Sequence, residues 1–535
     1  MQVLQTSKAK VVFPVIGAEN LSVQALSANL KKHGHDTYMV FDPALFDDKN
    51  FLCYSWMEKL FCQRSKVVKQ ILEQAPDLVA FSVMTPTFQW ANEISIQLKK
   101  SRPDLPILFG GVHPTLVPEV CLESSTADII CVGEGDDAIV ELADSIAVGK
   151  IRTDIENLWF KKENGIIQNP QRRILEDIDV LPQFDKELYE PYLTPRNNLL
   201  IVMSRGCPFH CSFCTLYKYA EDADKQNVDR VRLRSPEIAI QEIKQLKEKY
   251  GYTWIEFKDN TFTANKKWLR KFLPLLKKEV DLPFKCFVHP ATLTEEVVLL
   301  LKENGCWGVQ MGIESLSYEV RTKVLNRNES DTTIQQAFRL LDEAELIYST
   351  DYILGLPLET EQNLEHAAKI FMSLKSCHRV SPFLLAYLPK HPITSIAHSL
   401  NILSDEDIRN LENGDHDHYL GYGSINEKRD LKRYLAFKYF FRLIPHLPHS
   451  VNRFFLRTGL FRIFSYIPFF GELVTIVDVI FALLINEPDI RSYLKHYIWT
   501  LRKVLTNSYY PKSSEGPSKA TKVSNSSIFS QASAK

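Results

Sequence analysis

Three cysteines stand in the segment Arg205-Gly206-Cys207-Pro208-Phe209-His210-Cys211-Ser212-Phe213-Cys214. The apolar run Leu199-Leu200-Ile201-Val202-Met203 precedes them and reads as a buried strand. The thiols therefore follow the C-terminal end of a strand, where α/β folds gather ligands. Their C-x3-C-x2-C spacing offers three thiolates, where an ordinary [4Fe–4S] cluster takes four. A cluster held this way keeps one iron open. Zinc and buried free thiols are the alternatives. Zinc usually takes four ligands in paired C-x2-C or His-containing sets, and no second pair lies nearby.

The chain has 535 residues, which suggests about three domains at roughly 100–200 residues each. Its formal net charge of -1 gives no strong field for nucleic acid, and none is expected as a partner. Ten cysteines lie scattered without a disulfide-like framework, which suits a reducing cytosol. Cys53, Cys62, Cys121, Cys131, Cys286, Cys306 and Cys377 read as buried small hydrophobes. The segment from Met1 to Lys8 lacks a signal-peptide pattern. A cytoplasmic location is the expectation.

Residues 1–150 alternate strand and helix patterns. Strands are predicted at Val11–Val15, Thr37–Phe41, Leu78–Val83, Ile107–Phe109 and Ile129–Val132. Val23, Leu26 and Leu30, and likewise Ala91, Ile94 and Leu98, mark helices between them. The alternation argues for a Rossmann-like parallel sheet with helices on both faces. Turns of small residues follow several strands, among them Gly110-Gly111-Val112-His113-Pro114-Thr115 and Gly133-Glu134-Gly135-Asp136. Such turns let a large ligand approach the sheet's C-terminal edge.

Residues 151–195 read as a connector. Asn164-Gly165 between apolar flanks signals a hairpin, and Pro182, Pro191 and Pro195 punctuate an extended approach to the strand before the cysteines. The alternation resumes over 196–390, with strands at Trp254–Lys258, Lys285–Val288, Gly308–Gly312 and Thr350–Leu354. Helices are predicted at Ser235–Tyr250, Lys266–Lys278, Thr294–Asn304 and Thr332–Ala344, the first capped by Ser235 ahead of Pro236. These repeated βα units suggest a partial or complete barrel.

The cysteine motif, with Phe213 before Cys214, resembles the signature of the radical S-adenosylmethionine (SAM) enzymes. The resemblance implies a [4Fe–4S] cluster on Cys207, Cys211 and Cys214 whose open iron binds SAM and cleaves it to a 5′-deoxyadenosyl radical. It also selects a partial (β/α)6 barrel. Phe257-Lys258-Asp259-Asn260-Thr261-Phe262-Thr263, Gly312-Ile313-Glu314-Ser315 and Ile353-Leu354-Gly355-Leu356-Pro357 resemble further core motifs, with Asn260 replacing an aspartate. By that resemblance Asp259 sits near the methionyl amino group, Glu314 near the ribose or carboxylate, and Gly355 near the adenine. Arg327 is a candidate bidentate partner for the SAM carboxylate, with a surface ion pair as its alternative.

The N-terminal block resembles the cobalamin-binding domain that precedes the barrel in one subgroup. The segments GGVHPT and VGEGD carry the resemblance and imply Gly110, Gly111, Gly133 and Gly135 beside cobalamin. The loop Ile16-Gly17-Ala18-Glu19-Asn20-Leu21-Ser22 lacks the D-x-H-x-x-G histidine that ligates cobalt elsewhere. His113 reads as structural in its turn.

Residues 391–506 read as a helical region. Asp415-His416-Asp417-His418 has no spaced partners and reads as a solvated loop. Between 427 and 506, basic residues interleave with aromatics, followed by an apolar run that Pro468, Glu472 and Asp478 interrupt. Such a stretch suits a helical cap on the barrel or a peripheral membrane contact rather than a span. Residues 507–535 read as a disordered tail.

The expected function is a radical SAM enzyme that, with cobalamin, methylates or rearranges a small-molecule or lipid-like substrate. Its electron donor is expected to be of the flavodoxin or ferredoxin kind. RNA methylthiolation and a non-catalytic Fe–S or cobalamin-binding protein are the rival readings. The first needs a second cysteine cluster, for which Cys53, Cys62, Cys121 and Cys131 have poor spacing.

Overall fold

The computed structural model describes residues 8–48, 52–53, 55–192, 198–415 and 428–510. The readings made for the N-terminal segment, Pro195, the His416–His418 tract and the chain beyond 510 lie outside these residues.

The N-terminal sheet contains β1 (Lys10–Ile16), β2 (Asp36–Asp42), β5 (Leu78–Ser82), β6 (Ile107–Gly110) and β7 (Ile129–Cys131), all parallel in the order β2-β1-β5-β6-β7. A two-stranded ribbon, β3 (Asp47–Asp48) with β4 (Leu52–Cys53), follows β2. Alternation along β1 sends Val11, Phe13 and Val15 to one core and Val12 to the other. Helix Leu21–Lys32 covers the first face and helix Phe88–Ser101 the second. The Asn164-Gly165 hairpin forms from β8 (Leu158–Lys162) and β9 (Gly165–Gln168). It is not a free connector, as its sequence position suggests. It pairs antiparallel with β7 and lengthens this sheet to seven strands. Buried Leu158 and Phe160 account for this, because they cover a sheet edge that would otherwise stay open.

The second sheet is β10 (Asn198–Ile201), β13 (Trp254–Phe257), β14 (Phe284–Val288), β15 (Cys306–Glu314), β16 (Ile347–Leu354) and β17 (Cys377–Leu384). All six are parallel and neighbours in sequence order, as a partial (β/α)6 barrel requires. Along β15, Val309, Met311 and Ile313 pack outward in the barrel core. Gly308, Gln310, Gly312 and Glu314 therefore face the lumen. The lumen side carries charge, notably Lys285, Asp351 and Arg379. Helix Pro236–Tyr250 begins one residue after Ser235, but Ser235 does not cap it. The Ser235 N–H donates to Asp179 Oδ1 at 2.8 Å, and its hydroxyl donates to the same carboxylate.

The C-terminal helices tie the two sheets together. Helix Lys428–Leu443 sends Phe437, Phe440 and Phe441 into the barrel core, where Phe441 meets Tyr352 and Phe371 edge-on. Helix Pro488–Leu505 contacts β10, while Glu487 at its N-cap pairs with Arg379 on β17. It thus bridges the first and last strands of the open barrel. Its far end reaches the N-terminal core, and the Phe46 N–H donates to Tyr497 Oη at 3.2 Å. Tyr509 is buried against Tyr192, so packed structure continues past 507, where the sequence suggested a tail.

Glu487 is only 1% exposed and lies 3.6 Å from Lys285 Nζ as well as against Arg379. Burial pushes its carboxyl up, but His378, Arg379 and Lys285 outweigh burial and hold it at about 2. Breaking a buried pair from one side costs about 3–5 kcal/mol. Glu487→Ala should lower unfolding stability by about that much at pH 7. A depressed carboxyl stabilises only while ionised, so the gap to wild type should narrow as pH falls below the ordinary value of 4.5. Denaturant titration across pH checks both.

Candidate functional site

The cysteine loop hangs from a ribbon that sequence reading missed. After β10 the chain forms β11 (Ser204–Gly206), which pairs antiparallel with β12 (Val231–Leu233). Gly206 holds φ +92°, and a Cβ there would sit 1.9 Å from the Arg230 carbonyl oxygen, so only glycine fits. The loop is then pinned along its length. The Ser212 N–H donates to Leu325 O at 3.0 Å, Asn326 Nδ2 to His210 O at 2.8 Å, and the Cys214 N–H to Cys211 O at 3.1 Å. Cys207 Sγ lies 3.6 Å from Thr261 Oγ1.

Burial pushes the Cys211 thiol up to about 12 and the Cys214 thiol to about 11, and the charge of Arg327 opposes both shifts. Metal binding deprotonates such thiols. Among the described residues, no group of three or more His, Cys, Asp or Glu side chains is arranged to hold a single metal ion. Thiolates that each bind a different iron of one cluster need not converge on one point. The donor set therefore suits a cluster held from three corners.

Asp259 departs from its sequence expectation. It is only 2% exposed, and both carboxylate oxygens accept from the Met203 N–H, at 3.0 and 3.1 Å. The Ser204 hydroxyl donates to it as well. Burial raises its carboxyl to about 6 against these hydrogen bonds. Its carboxylate is engaged in fixing the strand end that leads into the cysteine loop, not presented to a ligand. Asn260, which replaces the second aspartate of the motif, is the exposed member of the turn.

Beside Cys211 opens a cleft of about 680 Å³ lined by Phe209, His289, Arg327 and Glu329 among others. Phe209 stacks on His289 at 3.7 Å. Arg327 is the hub of this wall. Its Nε meets Glu329 Oε1 at 2.6 Å, and its Nη2 lies 2.8 Å from both His289 Nε2 and Gly312 O. Its Nη1 stands 3.6 Å from Glu314 Oε1. Burial, aided by Arg327, holds His289 neutral at about 2. Glu314 ends β15 at φ +64°, beside a register shift. A non-glycine residue in that region carries about 1–3 kcal/mol of strain, as functional sites often do. Burial raises Glu314 to about 8, with Arg327 opposing.

Arg327 and Cys211 thus share the cleft, and Glu314 reaches it through Arg327. Gly355 does not line it. Its φ is +83°, and its N–H donates to Glu359 Oε2 at 2.8 Å. Half-buried Glu359 closes this turn and also accepts from Tyr352 Oη at 3.3 Å. His289 was not singled out from sequence, whereas Glu359, with Thr360, belongs to the same motif-like turn as Gly355.

The cysteine ribbon also meets the N-terminal domain. Arg205 donates twice to Asp136, at 2.7 and 2.9 Å, and Arg232, its cross-strand neighbour, donates to Glu134 at 2.6 and 3.1 Å. The VGEGD turn is therefore clasped to the ribbon. Its Gly133 N–H donates to Thr115 Oγ1 at 3.0 Å, joining it to the GGVHPT turn.

The four glycines differ in what they face. A Cβ at Gly111 would lie 2.8 Å from the Val83 carbonyl oxygen, so this glycine serves the close approach of two turns rather than a ligand. Gly110 and Gly135 face Cys131, at 3.4 and 3.3 Å. Only Gly133 faces a movable group, the Gln171 amide at 2.8 Å, beside a cavity of about 20 Å³. A ligand at this edge has to displace Gln171. In the loop after β1, buried Glu19 pairs with Lys186 at 2.7 Å, and no histidine is present. His113 is fully buried against Phe88, as its structural reading implied.

Comparison with known proteins agrees with this arrangement. Residues 201–371 match the radical SAM superfamily model, and residues 17–143 match the B12 binding domain model. An uncharacterised methyltransferase of Pyrococcus horikoshii is 31% identical over 319 residues, which cover 58% of this chain and 67% of that protein. The anaerobic magnesium-protoporphyrin IX monomethyl ester cyclase of Cereibacter sphaeroides is 25% identical over 366 residues, 65% of this chain but only 55% of the cyclase. Among solved structures, the cobalamin-dependent S-adenosylmethionine radical enzyme OxsB, with aqua-cobalamin and S-adenosylmethionine bound, shares the fold at a TM-score of 0.63 and 14% identity. That match covers 94% of this chain and 80% of OxsB. The chain belongs to the radical SAM superfamily, as an enzyme that carries a B12 binding domain ahead of its barrel.

Proposed function

We propose that Cys207, Cys211 and Cys214 hold a [4Fe–4S] cluster with which the protein cleaves SAM, and that with cobalamin at the clasped seam it methylates or rearranges a small organic molecule. The observation that carries this reading is three thiols on one pinned loop, beside a cleft whose wall centres on one buried arginine. When bound, the cluster supplies the electron for SAM cleavage, and cobalamin supplies a methyl group.

The chain's own residues position and select. Arg327 sets a guanidinium in the cleft wall, where Glu329 holds its Nε and His289 and Gly312 O hold its Nη2, so a carboxylate bound there would meet Nη1. Glu314, raised to about 8, keeps its proton at neutral pH and can donate a hydrogen bond to a hydroxyl. Asp259 acts one step back, by fixing the strand end from which the loop departs.

The lumen argues for a substrate with polar groups. Gln310 Nε2 donates to Asp351 at 2.8 and 3.0 Å, and Lys285 and Arg379 face the same space. Glu487 already pairs with Lys285 and Arg379, so these groups make the wall polar without awaiting a charge from the substrate. The named relatives, a methyltransferase and a tetrapyrrole cyclase, support small-molecule chemistry of this kind. A low-potential donor such as flavodoxin or ferredoxin would supply the electrons.

Replacing Cys207, Cys211 and Cys214 together by alanine should abolish both the Fe–S absorbance and the formation of 5′-deoxyadenosine from SAM. A triple variant that keeps a full [4Fe–4S] signal would refute the assignment. Arg327→Lys keeps the charge but cannot keep the guanidinium's bonds to Glu329, His289 and Gly312 O that place it, and should raise the KM for SAM by about 10–100-fold, the worth of one or two charge-assisted hydrogen bonds. Steady-state 5′-deoxyadenosine formation measures it.

A third expectation concerns pH. The folded carboxyl of Glu314 titrates near 8 against an ordinary 4.5, so it penalises folding increasingly as pH rises between those values. Glu314→Gln should therefore flatten the apo protein's loss of stability across that range, as read by denaturant midpoints at several pH values.

A further inference from the structure

Outside the barrel, the C-terminal helices carry an apolar surface that none of the described residues covers. On helix Phe470–Leu484, Leu473, Ile476, Ile480 and Leu484 are all exposed and recur every three or four residues, which makes one stripe. The stripe continues into the turn before the helix, where Tyr466 is 68% and Phe469 76% exposed. Phe469 takes a left-handed φ of +59° there. The segment Leu460–Tyr466 and the helix meet at 109°, so the aromatic turn forms the tip of an elbow. Contiguous exposed patches of this kind mark interaction surfaces.

The charged residues of the helix beside the elbow are basic. Arg453 and Arg457, on helix His449–Thr458, are exposed. Of the carboxylates on helix Phe470–Leu484, Asp478 is turned inward, 2.7 Å from Arg442 Nε and 3.0 Å from His446 Nε2. Glu472 is half-buried in the first turn. No single described helix is long and apolar enough to cross a membrane.

We propose that this elbow docks the protein on the surface of an anionic lipid bilayer, with the Tyr466–Phe469 tip in the interface and Arg453 and Arg457 on the headgroups. Aromatic tips over an apolar stripe, flanked by arginines, match the depth profile of a bilayer interface. A second copy fits less well. A two-fold dimer sets the same surface of both copies face to face, which would bring the arginines of the two copies toward one another.

The test uses the full-length protein in flotation with vesicles of phosphatidylcholine alone or mixed with phosphatidylglycerol. The protein should float with the mixed vesicles, and high salt should weaken the binding. Phe469→Ser with Leu473→Ser should reduce binding about tenfold or more, because two interfacial anchors are lost. Arg453→Glu with Arg457→Glu leaves the apolar stripe intact and should remove the preference for phosphatidylglycerol. Circular dichroism and thermal melts report whether each variant is folded. The proposal is overturned if the protein does not float, if binding survives both variants, or if binding resists carbonate extraction as a span does. It is also overturned if light scattering shows a dimer that the Phe469/Leu473 variant dissolves while vesicles are ignored.

Discussion

Two arginines on one short ribbon join the halves of this protein. Arg205 and Arg232 lie side by side across β11 and β12 and reach into a single turn of the N-terminal domain, where Asp136 and Glu134 receive them. The four side chains are largely shielded from water. Removing any one would leave its partners charged and poorly solvated, which is far more costly than losing a surface pair. Because the ribbon also carries the cysteines, the clasp fixes the distance between the thiol loop and the edge of the N-terminal sheet. Chemistry that needs groups from both sides depends on that distance being held.

The same economy governs the barrel side. Buried and half-buried carboxylates there mostly act on the backbone or on other side chains. Asp259 binds the exit of β10, Glu359 closes the turn after β16, and Glu329 steadies Arg327. Arg327 and Arg230 both line the cleft, each paired with a carboxylate. A site assembled on strand ends in this way is held more firmly than one on loops alone.

Much of this was legible in the sequence because local signals and tertiary demand agreed. The strands of both sheets follow runs of Val, Ile, Leu and Phe, and the helices at Leu21, Phe88 and Lys266 follow apolar spacing. The cysteine motif announced its own chemistry. The misreadings share a cause: spacing tells what a residue is near in sequence, not what satisfies it. Asp259 had the right position in its motif, but its oxygens face backward into the fold. Gly111 sits in a turn suited to a ligand, yet a neighbouring turn fills the space. Ser235 precedes a helix but bonds to Asp179, 56 residues earlier in the chain. Glu487 could not be anticipated at all, because its partners on β14 and β17 lie more than 100 residues away.

That glutamate also has a mechanical bearing. Lys285 and Arg379 lie near the N-terminal ends of their strands, on the third and the last strand of the sheet, and Glu487 joins both to the helix that contacts β10. One carboxylate thus ties strands that are not neighbours, at the end of the barrel away from the thiols. Strain introduced at this tie would reach the cysteine loop along the strands themselves, so the curvature of the whole sheet is braced by a residue that lies far from the site in sequence and in space.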